Sequence, residues 1–157
     1  MRNHNITVVA LAFVVQFFPH GPARAQSQAE KAPYPVSAPL EQYLIQDEKS
    51  EIALARSAAP VSVSDAAEVL VLRRDGYATA AKGTNGFICI VVRSWANTTD
   101  DAQFWNPKVR APHCFNPPAG KTVLPFYLMK SKLALAGKSR AEIAASMSSA
   151  ANIRNRL

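Results

Sequence analysis

Two cysteines stand in this 157-residue chain, Cys89 and Cys114, and a bond between them would tie together positions 25 apart. In the chain-entropy description, closing such a loop stabilises a fold by roughly 3.5 kcal/mol. That is a large share of the ~5–15 kcal/mol that holds a typical domain together. An isolated pair of cysteines becomes a disulfide in an oxidising compartment and stays reduced in a cytosol. The first question is therefore where the chain is sent.

The N-terminus has the parts of a secretory signal. Arg2 supplies positive charge, and Ile6–Phe18 is an apolar run broken only by Thr7 and Gln16. Pro19, Gly21 and Pro22 interrupt a helix, and Ala23-Arg24-Ala25 offers the small-x-small pattern of a cleavage site. The run is too short for a bilayer core, which takes ~20 apolar residues. No cysteine follows it for a lipid anchor, and no later stretch is apolar enough to span. The expectation is a signal peptide over residues 1–25, cleavage before Gln26, and a periplasmic or secreted mature chain of 157 − 25 = 132 residues carrying a Cys89–Cys114 disulfide.

Cleavage removes Arg2 and Arg24 and no acid, so the net charge falls from +7 to 7 − 2 = +5. The remainder is uneven. Residues 26–79 hold five Lys/Arg and eight Asp/Glu, a net −3, whereas residues 80–157 hold eleven and three, a net +8. Without a tight Lys/Arg cluster this reads first as a solvated surface, with anionic envelope components or a small ligand as the expected partners.

Along the mature chain, residues 26–39 are rich in Ala, Pro and Ser and read as a flexible leader. The single expected domain covers residues 40–157. High Glu, Leu, Ala and Lys content predicts a helix from Leu40 to about Ser57, stopped by Pro60. Glu68–Arg73, Tyr77–Lys82 and Phe87–Arg93 read as strands, separated by turns at Asp75-Gly76 and Gly83–Gly86. The unbroken apolar run of the third predicts a strand buried on both faces. Residues 94–122 carry Asn-Pro and Pro-Pro steps and read as a long irregular loop, its Trp95, Phe104, Trp105 and Phe115 folding back over the sheet. A helix follows over Leu124–Ala136, ended by Gly137 as a C-cap. Ser139 and Glu142 form a capping box that opens a last helix to about Ile153. The predicted fold class is α+β: a three-stranded antiparallel meander packed with one N-terminal and two C-terminal helices, plus the aromatic loop.

A few patterns in the sequence suggest particular chemistries. The helix–Gly–Ser–helix pattern at the C-terminus is superficially like a DNA-reading helix-turn-helix, but an exported chain does not meet the chromosome, so no nucleic acid is expected. His113 is the one histidine left after cleavage and adjoins Cys114. A thiolate and its base must meet in space, and neighbours in an extended segment point to opposite sides. One histidine, two bonded cysteines and Asp100-Asp101 do not make a metal-ligand pattern. The Gly83–Gly86 turn lacks the Lys-Ser/Thr ending of a phosphate loop, and no Gly-x-Ser-x-Gly elbow is present. No catalytic residue, metal or cofactor is assigned on these grounds.

Three segments carry a resemblance: Ala55-Arg56-Ser57-Ala58-Ala59-Pro60, the run from Gly83-Thr84-Asn85-Gly86-Phe87 to Cys89, and Cys114-Phe115-Asn116-Pro117. Together they make the chain similar, over roughly residues 51–125, to a group of uncharacterised exported bacterial proteins. The resemblance implies export and a shared small fold, and no activity. The functional expectation is a non-enzymatic binding or interaction module of the cell envelope or medium. Its contact surface is expected at Arg93, Trp95, Trp105, Lys108, Arg110 and His113. The competing expectation is a small secreted hydrolase or thiol enzyme using His113.

Overall fold

The structure is a computed structural model in which residues 33–154 are described; the expected signal peptide and residues 26–32 lie outside them. Among the described residues the class is α+β, with a mixed four-stranded sheet and five helices. The strands are β1 (Glu68–Arg73), β2 (Gly76–Ala81), β3 (Ile88–Val92) and β4 (Ala111–Phe115), in the spatial order β2-β1-β3-β4. The helices are α1 (Glu48–Arg56), α2 (Val61–Ser64), α3 (Pro117–Thr122), α4 (Leu124–Leu135) and α5 (Arg140–Arg154), with 3-10 turns at Leu40–Gln42 and Ser94–Ala96.

The sheet corrects the predicted meander. β1 and β2 form the expected antiparallel hairpin, closed between Arg73 and Gly76, with Gly76 at φ 141°. The third strand, however, does not pair with β2. It lies on the other side of β1 and runs parallel to it over Glu68–Leu70 and Ile88–Ile90. The Gly83–Gly86 segment is therefore no hairpin turn; it wraps around the start of β1. Thr84 and Asn85 donate their backbone N–H groups to the Ala66 carbonyl, at 2.8 and 3.3 Å, and the Glu68 N–H donates to the Phe87 carbonyl at 2.9 Å. Asn85 also donates its side-chain amide to the Val63 carbonyl at 2.7 Å. Glycine is required at position 83 because a Cβ there would lie 2.0 Å from the Glu68 nitrogen. A residue set that suits a tight turn equally suits this close passage.

Two further expectations change. The helix predicted from Leu40 to Ser57 divides into the 3-10 turn and α1, because the Asp47 carboxylate caps α1 by accepting from the Lys49 and Ser50 N–H groups at 3.3 and 3.0 Å. The segment between them carries Tyr43 into the interior, where it is 1 % exposed. The region 94–122, expected to be irregular, supplies β4 and α3. β4 pairs antiparallel to β3 with Cys114 opposite Cys89. Part of the predicted leader is also docked: Tyr34 and Ala38 pack against buried Tyr43 and Trp105 and their neighbours, and the Ala38 N–H donates to the Tyr43 hydroxyl at 3.1 Å.

The C-terminal helices stand where the sequence predicts them. Gly137 at φ 72° ends α4, with the Lys138 N–H donating to the Leu133 carbonyl and the Gly137 N–H to the Ala134 carbonyl. At α5, the Ser139 N–H donates to Glu142 at 2.8 Å and the Glu142 N–H donates back to the Ser139 hydroxyl at 3.3 Å.

Strand alternation assigns the two faces. Val69, Val71, Cys89 and Val91 pack with Ala55 of α1. Ile90, Val92 and Phe115 pack with Leu124, Tyr127 and Leu128 of α4. β3 is thus buried on both faces, as its sequence predicts. A third cluster at one end of the sheet joins Leu72 to Tyr43, Trp95, Phe104, Trp105, Ala134 and Ile143.

Candidate functional site

Cys89 and Cys114 form a disulfide between directly opposed residues of β3 and β4, with Cα atoms 4.0 Å apart. Such a bond accords with an oxidising compartment. Its sulfurs lie on the α1 side, where Cys114 packs with the Val69–Val91 cluster. His113, next along β4, faces the other way: its ring stacks on Phe115 at 6.2 Å and lies 6.0 Å from the Tyr127 ring. Its Nδ1 is 3.2 Å from the Ala111 carbonyl. The sheet itself stands between the imidazole and the sulfur, and the described residues include no free cysteine. The geometry offers no thiolate–imidazole pair.

Arg93 is enclosed, with no exposure, on the α1 side. Its burial follows from the shape of the sheet. β1 and β3 pair only as far as Leu70 and Ile90, so beyond that point the Leu72 N–H and the Val91 carbonyl lack strand partners. Buried backbone groups must be satisfied. Glu51, projecting from α1, accepts the Leu72 N–H at 3.1 Å, and Arg93 donates both to the Val91 carbonyl and, at 2.9 Å, to Glu51. The Arg93 Nε–H donates to the Tyr43 carbonyl at 2.6 Å, and the Tyr77 hydroxyl donates to the Val91 carbonyl at 2.7 Å. Burial raises the Tyr77 pKa. An ion pair thus plugs the split between two strands. Glu51 was not singled out by the sequence, although it shares a helix face with buried Ala55 four residues on.

Trp95 and Trp105 are equally internal, at 2 % and 3 % exposure. The Trp95 indole donates to the Ser131 hydroxyl at 3.0 Å and its ring lies 4.6 Å from that of Tyr43. The Tyr43 hydroxyl donates to the Trp105 carbonyl at 2.9 Å. Phe104 packs edge-on to Trp105, with Lys130 and Arg140 near its ring at 6.0 and 5.2 Å. The six expected contact residues therefore do not form one surface. Arg93, Trp95 and Trp105 belong to the interior. Arg110 is a strap, donating to the carbonyls of Pro107, Val109 and Gln42 at 2.6, 2.9 and 2.7 Å. Burial lowers its pKa, and the nearby Arg93 charge adds to the effect. Lys108 is exposed and His113 half-buried.

On and around α1, Glu51 pairs with Arg93, Glu48 with Arg73 and Glu41 with Arg74 at 2.9 Å, while Asp47 caps the helix and Lys49 stays exposed without a carboxylate partner among the described residues. On the opposite side, Lys121 of α3 and Lys130 and Lys132 of α4 have no carboxylate partner among the described residues, and Lys121 and Lys132 are exposed. These lysines were visible in the sequence as part of its basic half, but nothing there placed them on one side. No three His, Cys, Asp or Glu side chains among the described residues gather in a metal-holding group. No helix among them is long and apolar enough to cross a membrane. No family model, curated protein or solved structure matches the chain.

Proposed function

We propose that this chain is an exported, non-enzymatic binding module of the cell envelope or medium, and that its α3–α4 side meets anionic envelope components. The observation that carries the reading is that Lys121 of α3 and Lys132 of α4 are exposed on the α4 side and have no carboxylate partner among the described residues. Glu41, Glu48 and Glu51 are each paired with an arginine, whereas Lys121 and Lys132 present exposed cations with no internal partner. Exposed cations without an internal partner remain available to an outside anion. The Cys89–Cys114 disulfide supports export, as does the resemblance to exported bacterial proteins. The other candidate chemistry, a thiol nucleophile activated by His113, has no supporting geometry.

The test uses the mature chain and phosphatidylglycerol vesicles, with phosphatidylcholine vesicles as control. Co-sedimentation with the anionic vesicles alone, weakening as ionic strength rises, supports the reading. The double variant Lys121→Glu, Lys132→Glu then loses binding without losing stability. Equal binding to both vesicles, or binding indifferent to salt and to the two substitutions, overturns it. Intact-mass analysis of the exported protein examines the compartment: a chain beginning at Gln26 and refractory to alkylation until reduced is expected, and an uncleaved N-terminus contradicts export.

A further inference from the structure

One cation is placed differently from the rest. Lys130 reaches across from α4 to the end of the Ser94–Ala96 turn, where its ammonium donates to the Asn97 carbonyl at 2.6 Å and to the Ala96 carbonyl at 3.3 Å. An ammonium has three donors, so these contacts leave one over, and they leave the charge without a carboxylate among the described residues. The residue is only partly exposed. Burial lowers its pKa, the mark of a cation held away from water.

Lys130 also lines a cavity of about 180 Å³, together with Ala96, Phe126, Tyr127 and Met147. Apart from Lys130 its walls are aromatic and aliphatic. The Tyr127 ring is fixed from behind by Phe115, at 5.4 Å, and by His113, so that wall is formed before any ligand arrives. Met147 packs against the aromatic end of the core, and its flexible thioether can adjust to what enters. Apolar walls with a single charged group set at one point are the usual make-up of a small-molecule site, which fixes a ligand's body by contact and its orientation by charge. The cavity is smaller than the ~300–1,000 Å³ of sites for drug-sized ligands, which restricts the occupant to one ring or a short chain.

We propose that this cavity binds a small monocarboxylic acid, its apolar body against Phe126, Tyr127 and Met147 and its carboxylate on the Lys130 ammonium. The inference rests on the reading of the chain as an anion-binding module, but on residues other than the exposed Lys121 and Lys132. A neutral ligand of the same shape would leave the ammonium without a counter-charge. Discrimination should therefore favour the acid by about tenfold, the worth of a hydrogen bond to a charged group.

The experiment is an NMR titration of the mature, disulfide-bonded protein labelled at its methionine methyls, with benzoate and with benzamide as probes. Cleavage removes Met1 and leaves Met129 and Met147 as the two signals. The expected result is a saturable shift of the Met147 methyl by benzoate at a concentration about tenfold lower than by benzamide. Lys130→Met should abolish that preference while the cavity remains. No saturable shift with benzoate through the millimolar range overturns the proposal, as does equal binding of the two probes by the unmodified protein, a result that needs no variant to fold. The Lys121→Glu, Lys132→Glu variant separates the two readings. Benzoate binding retained with vesicle binding lost upholds both, whereas vesicle binding by a protein indifferent to benzoate removes the cavity site alone.

Discussion

On the α1 side of the sheet one ion pair is fully enclosed, with Glu51 and Arg93 at 1 % and 0 % exposure and the disulfide on the same face. On the α3–α4 side the interior is aliphatic and aromatic, built from Ile90, Val92, Phe115, Leu124 and Tyr127, while Lys121 and Lys132 stay outside. The difference has a physical origin. A charge taken out of water must find both a counter-charge and hydrogen bonds, or it destabilises the fold by several kcal/mol. Arg93 and Glu51 meet that demand because the parting of β1 and β3 leaves backbone groups for each of them to satisfy. The lysines of the other side face no such demand, so their replacement should alter binding and leave folding intact.

The contrast breaks most sharply at Arg93. Arg93→Met removes the counter-charge of a fully buried carboxylate and leaves the Tyr43 carbonyl without its Arg93 donor and the Val91 carbonyl with Tyr77 alone; a loss of about 3–5 kcal/mol is expected in chemical denaturation. Replacing both partners, as in Glu51→Leu with Arg93→Met, should recover part of that loss, because no charge is then left buried. If the single variant behaves like Lys121→Glu, the distinction between the two sides fails. Next in size is the disulfide. Cys89→Ala with Cys114→Ala reopens a 25-residue loop in the unfolded chain and should cost roughly 3.5 kcal/mol, read as a lower denaturation midpoint. A smaller effect tests the polar exception on the α4 side. Ser131→Ala leaves the buried Trp95 indole N–H without its acceptor, for about 1–3 kcal/mol, and should change the near-UV dichroism of the aromatic cluster.

The parts of the fold legible in the sequence are those fixed by a few neighbouring residues. The Asp75-Gly76 hairpin, the Gly137 cap and the Ser139–Glu142 box each depend on local backbone geometry, and the residues required announce themselves. The apolar run of β3 declared its burial for the same reason. What was not legible depends on distant partners. Whether Gly83–Gly86 turns back beside β2 or passes around β1 is decided by the Ala66 carbonyl and the Glu68 N–H, far from any motif. β4 contains Pro112 and is flanked by prolines; it is a strand because it lies at a sheet edge, where proline is tolerated, and because β3 and the disulfide hold it. Arg93 reads as a surface cation on the ordinary expectation for arginine, and only the split in the sheet explains its burial. Trp95 and Trp105 read as contact residues because the segment around them looked irregular. The basic half of the chain was visible in the composition, but composition cannot distribute lysines between the faces of a sheet.

The smallest expected effect lies at the start of α5, where charge is exposed and yet locally engaged. The Ser139 backbone N–H holds the Glu142 carboxylate well below its usual range, at about 2, helped by Lys138 and by the Ser139 hydroxyl. A folded-state pKa below the unfolded value of 4.5 means that the contact stabilises the helix above about pH 4.5 and is lost as the pH falls through about 2. The exposed position of the Lys138–Glu142 pair keeps the effect on global stability slight. Ser139→Ala should remove the cap, cost roughly 1 kcal/mol, and raise the Glu142 midpoint in a carboxylate NMR titration. The Arg93–Glu51 pair across the molecule is insulated from this change, so the midpoint should move without any loss of the Leu72 amide's protection from hydrogen exchange. An unmoved midpoint would mean that the backbone N–H, which alanine keeps, holds Glu142 without the hydroxyl; a loss of Leu72 protection would mean that the two sides of the sheet are coupled after all.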